Sequence, residues 1–408
     1  MKINVNGRIQ HIDIKVAGKP AGRLTKKAQF EFSYHSDARD PISVTMPLGP
    51  LSTRYYQSGA LFPIFEMNLP EGYVRYRITE RLRKHIQVDD MLFLSLQGDT
   101  GIGCLSYETE GIEHEELIGE KLSEILGWQG KDDLFEELLN KYLLQSTLSG
   151  VQPKVLVPEE RTGSEKGALV LPALIVKTND EAYPELAINE YICMSLAKTC
   201  QIKTPEFWLS DNHQMFVMRR FDLTPQGHCI GMEDLAVLQG KSTDQKYQGS
   251  YESIGKALTL YSSAPKEDIE IFFKMVVLSC LVGNGDAHLK NFAMLYSDPD
   301  DMRLSPLYDV VNTQIYLPND TLALNLTKSK GFPDRRRMIV LSQSLGMKNG
   351  ETILDEMEGQ IREELDRLSD YTQLMKLDIK AAILNNLHRV TTRTAIKTRS
   401  TRKHTKHN

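Results

Sequence analysis

The order of secondary-structure patterns along the chain limits its fold more than any other feature. In the first 110 residues, apolar and polar side chains alternate as they do in strands, for example at residues 30–34. From residue 232 onward apolar side chains recur at helical spacing, and the segment between mixes both patterns. At 408 residues the chain is also too long for one ordinary core. We therefore expect an α+β protein of two or three packed units.

The same patterns predict individual elements and units. Residues 3–7 and 12–16 resemble a hairpin with its turn at Asn6-Gly7. Further strands are predicted at 30–34, 153–157, 168–176 and 215–219, and helices at 71–84, 89–97, 133–144, 185–199, 250–262, 267–283, 351–367 and 371–388. The predicted units are a β-rich N-terminal subdomain (1–110), a mixed α/β lobe (111–222), an all-helical C-terminal lobe (223–390) and a basic tail (391–408).

Composition narrows the class of protein and its compartment. The net charge of −5 and the 25% of charged residues are typical of a soluble globular protein, and give no sign of nucleic-acid affinity for the whole chain. The five cysteines form no CxxC pair, so we expect reduced thiols rather than a disulfide scaffold or zinc site. The N-terminus lacks a signal-peptide pattern, and no apolar run is long enough to span a bilayer. These features predict a cytoplasmic protein without membrane contact.

Three polar residues in the helical part have the spacing that phosphoryl transfer requires. Asp286 is followed five residues later by Asn291, and Asp309 comes 18 residues after that. Protein kinases use an Asp-x-x-x-x-Asn segment in which the Asp deprotonates the attacking hydroxyl and the Asn holds Mg2+, together with a second carboxylate. We therefore interpret Asp286 as a catalytic base, and Asn291 and Asp309 as Mg2+ ligands, of an ATP-dependent kinase.

Structural interpretations compete for the same residues. Asp286 could cap the following turn, and Asn291 could make loop hydrogen bonds. His288 is as much a structural hydrogen-bonding residue as a neighbour of phosphate, and Lys290 either faces solvent or offsets the charge of transferring phosphate. The apolar helix before this segment and the strand pattern at 292–295 favour the catalytic interpretation.

A lysine and a phenylalanine mark two further candidate contacts with a nucleotide. Lys177 ends a buried apolar strand, where an unpaired ammonium group is costly. Kinases place such a lysine on the α- and β-phosphates of ATP and steady it with a helix glutamate, for which Glu190 is the candidate. After the strand at 215–219, main-chain groups could pair with adenine and Phe221 could pack on its ring. A surface Lys177 with an exposed Glu190, and Phe221 in the core, are the alternatives.

The segment 146–154 joins a predicted helix to a predicted strand and is rich in hydroxyl groups. Such a loop can present hydroxyls and main-chain N–H groups to phosphates. It is neither a Walker A loop nor the glycine-rich loop of eukaryotic protein kinases. Taken alone, it would be an ordinary helix exit.

Together these segments resemble the HipA family, the kinase toxins of HipBA-type bacterial toxin–antitoxin systems. The resemblance extends to about residue 390. Its most specific parts follow the family's order and are residues 148–154, 176–177, 220–222, 285–291 and 308–309. The resemblance implies a two-lobed, protein-kinase-like fold and a serine/threonine kinase that uses ATP and Mg2+.

The resemblance also implies roles for individual residues. Asp286 is the implied base, and Asn291 and Asp309 are the implied metal ligands. The nucleotide is expected to contact residues of the phosphate loop, the connection between lobes and the catalytic loop, namely Ser149, Gly150, Val151, Gln152, Pro153, Lys154, Lys177, Arg219, Arg220, Phe221, His288, Leu289, Lys290, Asn291, Tyr308 and Asp309. Family members inactivate themselves by phosphorylating a hydroxyl in their own phosphate loop, and the candidates here are Thr147 and Ser149.

The implied partners are a small HipB-like helix-turn-helix antitoxin, which binds operator DNA, and a target such as an aminoacyl-tRNA synthetase, whose phosphorylation arrests growth. Residues 389–408 carry about +7 and leave about −12 for the rest of the chain, by formal charge. This tail could touch DNA phosphates in such a complex, or it could be a disordered solubilising segment.

Two other functions stay open at this point. The chain could be a non-catalytic, nucleotide-binding co-repressor scaffold, although the complete set of catalytic polar groups counts against it. It could also be a small-molecule phosphotransferase of the aminoglycoside kinase type, which shares the catalytic geometry. The position of the phosphorylated acceptor would separate the three.

Overall fold

The computed structural model of the chain describes residues 1–392, with gaps at 6, 51–53, 116, 131–132, 147–149, 151 and 165–166. Within these residues helices and strands are both abundant, and the paired strands form four antiparallel sheets. The α+β class predicted from the sequence is confirmed.

The N-terminal part is built on a five-stranded sheet. Two short strands, β1 (Lys2–Ile3) and β7 (Ile112–Glu113), pair beside it. The sheet strands are β2 (His11–Val16), β3 (Lys19–Lys26), β4 (Phe30–Tyr34), β5 (Tyr55–Ser58) and β6 (Leu105–Glu108), and they pair in the order β5-β4-β3-β2-β6. Alternate side chains of β4 are buried, as its sequence pattern predicts. They share a core with α1 (Pro63–Glu66), α2 (Gly72–Leu82) and α3 (Asp90–Gln97). We call residues 1–113 the N-terminal module.

A four-stranded sheet forms the middle of the molecule. Its strands β8 (Lys154–Ser164), β9 (Gly167–Thr178), β10 (Phe207–Leu209) and β11 (Met215–Arg219) pair in the order β10-β11-β9-β8. Helices α4 (Leu122–Leu126) and α5 (Leu134–Tyr142) precede the sheet, and α6 (Leu186–Thr199) follows β9. Neighbouring residues of β9 face opposite ways, because Val176 packs in the core of the N-terminal module and Ile175 packs in the core of the helical part. The sheet therefore lies between these two cores.

The C-terminal part is mainly helical but also contains strands. Its helices are α7 (Leu235–Leu238), α8 (Tyr251–Tyr261), α9 (Pro265–Val282), α10 (Arg335–Ser344), α11 (Gly350–Arg367), α12 (Ser369–Leu374) and α13 (Ile379–Thr391). Three short strands pair into a further sheet in this part, namely β12 (Gly231–Asp234), β13 (Ala293–Tyr296) and β14 (Arg303–Leu304). The prediction of an all-helical C-terminal lobe is therefore wrong. The strand pattern at 292–295 does correspond to β13, but its partners β12 and β14 are too short to show a clear alternation.

Helix α9 is the centre of this part. Residues 275–282 are buried, with Val276, Leu278 and Leu281 at 0% exposure, and the helix packs against α8 and α13. In the described part of the chain, no helix is both long enough and apolar enough to cross a membrane.

Two predicted elements differ in the structure. The hairpin of residues 3–7 and 12–16 is wrong, because β1 pairs with the distant β7, while β2 pairs with β3 through a turn at Ala17 and Gly18. Both turn residues have positive φ (48° and 76°), as a tight two-residue hairpin turn requires. Asn6 lies outside the described residues. The single helix at 371–388 is also wrong, since Met375 is extended and Asp378 starts α13 by accepting a hydrogen bond from the Ala381 N–H.

The cysteines depart from expectation at one pair. Cys104 and Cys229 form a disulfide, with a Cα–Cα distance of 5.2 Å, although 125 positions separate them in the sequence. The expectation of reduced thiols is wrong for this pair, because only the fold brings the two residues together. Cys193, Cys200 and Cys280 are free and buried.

Candidate active site

Strand geometry directs Lys177 toward helix α6. Lys177 follows Ile175 by two positions on β9, so both side chains lie on the face that packs against α6. There Glu190 accepts a hydrogen bond from Lys177 Nζ at 2.6 Å, and Asp309 accepts a second at 2.7 Å. Lys177 is 2% exposed and Glu190 is fully buried. The structure thus brings together the lysine and the helix glutamate that the sequence suggested as partners.

Mutual charge compensation favours the ionised forms of Lys177 and Asp309. Burial lowers the pKa of Lys177, but Asp309 and Glu190 outweigh this effect and hold it above its ordinary value. Burial raises the pKa of Asp309, yet Lys177 and Lys154 hold it well below the usual range. For Glu190, burial raises the pKa and Lys177 lowers it, and the effect of burial is the larger one. A lysine held as a cation in this position can meet a phosphate.

Asp309 and Asn291 stand side by side. Asn291 Nδ2 donates to Asp309 Oδ2 at 3.0 Å, and Asn291 Oδ1 accepts from the His288 main-chain N–H at 3.0 Å. Asp309 has a φ of 59°, a left-handed conformation that non-glycine residues adopt at a cost and that is enriched at functional sites. Mg2+ usually takes few protein ligands and completes its shell with water and phosphate oxygens. Asp309 supplies a carboxylate of the kind that the ion prefers, whereas Asn291 turns its amide nitrogen toward Asp309 and its oxygen toward the His288 N–H. The Asn291 side chain would have to rotate to ligate the ion together with Asp309.

Two glycines turn the chain so that Asp286 reaches the same cavity. Helix α9 ends at Gly283, which is left-handed with a φ of 77°. A Cβ on Gly285 would lie 2.0 Å from Asp320 Oδ2, so only glycine fits there. The Asp286 carboxylate then lines the cavity and accepts a hydrogen bond from the Tyr247 hydroxyl at 2.9 Å.

The surroundings of Asp286 suit a proton acceptor. Solvent reaches its side chain at the mouth of the cavity, but the cavity walls still desolvate the carboxylate and raise its pKa to about 6. Asp309 and Asp320 add to this shift, while Tyr247 and Lys246 oppose it. A carboxyl group with a pKa near neutrality is a more effective general base than an ordinary one.

His288 is a neutral side chain in the cavity wall. It is 6% exposed, and its ring meets that of Tyr247 edge to face at 5.1 Å. Burial, reinforced by Lys246, lowers the pKa of His288 to about 3. Its Nδ1 has no hydrogen-bond partner among the described residues. His288 can therefore offer a hydrogen bond near a phosphate but no positive charge.

The phosphate-loop residues that the structure describes lie next to Lys177. Lys154 on β8 is directly opposite Lys177 on β9, and burial lowers its pKa. Gly150 has a φ of 108°, and a Cβ there would lie 2.5 Å from Lys154 Nζ. The Gln152 side chain donates to the Thr178 carbonyl at 3.2 Å. Thr147, Ser149 and Val151 lie outside the described residues.

The two consecutive arginines at the end of β11, Arg219 and Arg220, bind different partners. Arg219 turns away from the cavity and forms ion pairs with Glu159 and Glu206. Arg220 binds Asp222 in a bidentate pair and donates to the carbonyls of Thr100 and Gly101, so its guanidinium fastens the N-terminal module.

Phe221 lies in the cavity wall close to Tyr308, with ring centres 5.2 Å apart. The Tyr308 hydroxyl donates to the Lys290 carbonyl at 2.7 Å, which ties this aromatic pair to the catalytic loop.

Most of these groups line one cavity of about 540 Å³, a size typical of a small-ligand site. The predicted residues in its lining are Gly150, Gln152, Lys154, Lys177, Arg220, Phe221, Asp286, His288, Lys290, Asn291, Tyr308 and Asp309. Pro153, Arg219 and Leu289 are outside the lining. Leu289 is instead fully buried behind the catalytic loop.

Sequence reasoning missed several residues of the lining. The N-terminal module contributes Met67, Glu71 and Ile102, and the C-terminal part contributes Lys246 and Tyr247. No motif or spacing marks them, since each is brought to the cavity by packing between distant segments. The acidic and basic character of Glu71 and Lys246 gave no signal either, because charged residues at such positions are common on surfaces.

Comparison with known proteins identifies relatives over most of the chain. The HipA-like C-terminal domain matches residues 146–365, and the HipA N-terminal domain matches residues 12–108. A Sinorhizobium fredii protein named "Putative kinase Y4dM" is 28% identical over 355 residues, which span 79% of this chain and 82% of that protein. A Haemophilus influenzae protein named "Putative kinase" is 30% identical over 215 residues, which span 46% of this chain and 61% of that protein.

The fold also matches a solved structure. The complex of HipA, HipB and operator DNA from the toxin–antitoxin system of Shewanella oneidensis MR-1 contains a chain that superimposes with a TM-score of 0.68. The match has 20% sequence identity and covers 93% of this chain and 97% of that one. It shows a common fold. The two HipA domains match in order, and the match to the C-terminal domain covers more than half of this chain. The chain therefore belongs to the HipA family.

Proposed function

We propose that the chain is an ATP- and Mg2+-dependent serine/threonine protein kinase and the toxin of a type II toxin–antitoxin system. One observation carries the proposal: Lys177, Asn291, Asp309 and Asp286 all line one cavity, and Glu190 holds Lys177 from behind the cavity wall. Positioning and electrostatic stabilisation supply nearly all of the catalysis in phosphoryl transfer, and this set provides both.

The reaction would proceed as follows. A serine or threonine hydroxyl of the substrate attacks the γ-phosphorus of ATP and gives its proton to Asp286, while the bond to the β–γ bridging oxygen breaks and ADP leaves. Tyr247 donates to Asp286 Oδ1 and so leaves Oδ2 as the proton acceptor. Lys177 meets the phosphates with the N–H that it does not share with Glu190 and Asp309.

Asn291 and Asp309 would hold Mg2+, and the ion when bound supplies charge stabilisation of the phosphate oxygens. Lys154 and the phosphate loop would face the same phosphates, and Phe221 with Tyr308 would contact the adenine. The apolar side chains of Ile175 and Met218 in the cavity wall suit that ring.

The wider function follows from family membership. We propose a HipB-like antitoxin as partner, operator DNA contacted only through that antitoxin, and a cytoplasmic target connected with translation, such as an aminoacyl-tRNA synthetase. Self-inactivation would occur by phosphorylation of Thr147 or Ser149. The names of the relatives, which describe kinases, and the HipA–HipB–DNA complex of the fold match support this proposal.

The test is mass spectrometry of phosphatase-treated protein after incubation with ATP and Mg2+, at the level of intact mass and peptides. We expect one phosphate on Thr147 or Ser149 in the wild type and none in Asp286→Asn. Asp298→Asn, in an exposed turn, is the matched control and should be phosphorylated like the wild type.

The outcomes separate the rival functions. Phosphate in both Asp286→Asn and the wild type would refute Asp286 as the base. Folded wild type that binds ATP without phosphorylating itself or a translation protein would favour the co-repressor scaffold. Phosphorylation of aminoglycoside-type small molecules without phosphate in the loop would favour a small-molecule phosphotransferase.

A further inference from the structure

Glu71 of the N-terminal module reaches into the cavity and contacts two lysines at once. Its Oε2 accepts a hydrogen bond from Lys246 Nζ at 2.6 Å, and its Oε1 accepts one from Lys290 Nζ at 2.5 Å. The lysine side chains are 9% and 4% exposed, and the glutamate side chain is 16% exposed. All three residues line the cavity.

The position of Glu71 in its own helix does not account for this contact. Glu71 is the residue before α2, where an acidic side chain often caps the helix, yet its side chain caps nothing. The carboxylate instead extends away from its helix to the C-terminal part, across 175 and 219 positions of sequence. Lys246 and Lys290 together hold the pKa of Glu71 down at about 2 in spite of its burial, so it is a carboxylate at neutral pH.

Each lysine is adjacent to a group of the proposed reaction. Lys290 precedes Asn291 directly, and Lys246 precedes Tyr247, whose hydroxyl binds Asp286. Two ammonium groups in the wall of a cavity that also contains Lys154 and Lys177 would attract phosphates strongly. The Glu71 carboxylate fixes where these two cations lie and limits how far they can move toward a bound polyphosphate.

We propose that Glu71 is a positioning residue of the phosphotransfer site, through which the N-terminal module sets the places of Lys246 and Lys290 relative to the nucleotide phosphates. The inference rests on the proposed kinase function and adds to it a role for the N-terminal module. The competing explanation is that Glu71 only fastens the module to the rest of the molecule.

The two explanations predict different changes in the affinity for ADP when the Glu71 carboxylate is removed. A lost fastening loosens the cavity and weakens or leaves unchanged the binding of every nucleotide. Loss of a competing carboxylate frees two cations, which then pair with phosphates more strongly but in unproductive places. In Glu71→Gln we therefore expect the Kd of ADP to fall several-fold and that of adenosine to stay unchanged, while kcat for autophosphorylation falls by roughly 10- to 100-fold.

Glu66→Gln is the matched control. Glu66 is five positions earlier in the same module and accepts a hydrogen bond from the Thr243 N–H at 2.7 Å, so it also joins the module to the C-terminal part. No hydrogen bond joins it to either lysine, and only a longer-range attraction links it to Lys290. We therefore expect its ADP-to-adenosine affinity ratio and kcat to stay close to those of the wild type. Glu71→Asp keeps the charge and should restore much of the wild-type ratio and kcat.

The experiment measures Kd for ADP and for adenosine by calorimetry, with Mg2+ present, and kcat by phosphate incorporation, for the wild type, the two Glu71 variants and the control. An ADP-to-adenosine ratio and kcat in Glu71→Gln equal to those of Glu66→Gln would overturn the inference. Equal weakening of ADP and adenosine would show a fastening role and overturn it as well.

Failure of the kinase proposal gives a different result. If the wild type binds ADP but transfers no phosphate, the proposed function fails, and the affinity ratio still decides whether Glu71 competes with phosphate. If Glu71→Gln does not fold, Glu71→Ala decides in its place, because it also removes the carboxylate and should shift the ADP-to-adenosine ratio in the same direction. If the wild type binds no nucleotide, both proposals fall.

Discussion

Lys177 donates to two carboxylates, Glu190 and Asp309, and its loss would leave both without their hydrogen-bonded cation. Breaking a buried ion pair by removing one partner is costly, because an uncompensated charge stays behind. We expect Lys177→Met to lower the free energy of unfolding by about 3–5 kcal/mol. Urea denaturation followed by circular dichroism measures it.

The double variant provides the control for this expectation. Adding Glu190→Gln to Lys177→Met removes the fully buried charge that the single variant strands, so the double variant should be more stable than Lys177→Met alone. Additive losses from the two substitutions would show that the pair is not coupled.

The carboxyl group of Asp286 sets an expected pH dependence. Only the ionised form accepts a proton, and its pKa is raised to about 6, so kcat/KM for phosphorylation should fall as the pH drops below that value. Tyr247 donates to the carboxylate and lowers its pKa. In Tyr247→Phe the inflection should therefore move to higher pH. A pH–rate profile in which both proteins share one inflection would contradict the assignment.

At the residue scale, sequence reasoning found what local patterns encode. Lys177 stands out because a cation ends an apolar strand, and Asp286 and Asn291 stand out because of their fixed spacing. Glu71 and Tyr247 have no such local mark, since their roles depend on which side chains the fold places opposite them.

Helix α9 leads into the proposed catalytic loop, so the packing of the helix supports the start of that loop. Leu278 is fully buried in the core around it. We expect Leu278→Ala to lower the free energy of unfolding by about 2–5 kcal/mol, from lost burial and the cavity left behind. Leu260→Ala on α8 is the control, since Leu260 is 74% exposed and should change stability little. Thermal and urea unfolding test both, and equal losses would contradict the burial argument.

Elements with long, regular patterns were predicted well, and elements decided by distant partners were not. Helices α8, α9 and α11 match their predicted ranges within a few residues, because an amphipathic period over several turns is a strong signal. The pairing of β1 with β7 could not be predicted, since more than a hundred residues separate them. The break between α12 and α13 depends on a cap at Asp378, which the continuing apolar period conceals.

At the scale of the whole molecule, the order of the secondary-structure patterns predicted the α+β class, and the order of the motifs predicted the family. The contribution of the N-terminal module to the cavity was not predicted. The module reaches the cavity through Met67, Glu71 and Ile102, and Arg220 with Asp222 fastens it there. Such contacts join segments whose sequences contain no information about one another.

The basic C-terminal segment permits a test on the assembled system. If residues 393–408 contact DNA phosphates in a complex with antitoxin and operator, their removal should weaken that complex and reduce the slope of log K against log salt by about 0.9 for each lost contact. Filter binding across a salt series measures this slope. An unchanged affinity and slope would favour a solubilising segment.

The disulfide of Cys104 with Cys229 closes a covalent ring that contains the phosphate loop, Lys177, Glu190 and the connection to Phe221. A single backbone cleavage anywhere between the two cysteines would open this ring without releasing a fragment. After a cut at any point between the two cysteines of the oxidised protein, the two pieces would migrate together on a denaturing gel until a reductant separated them.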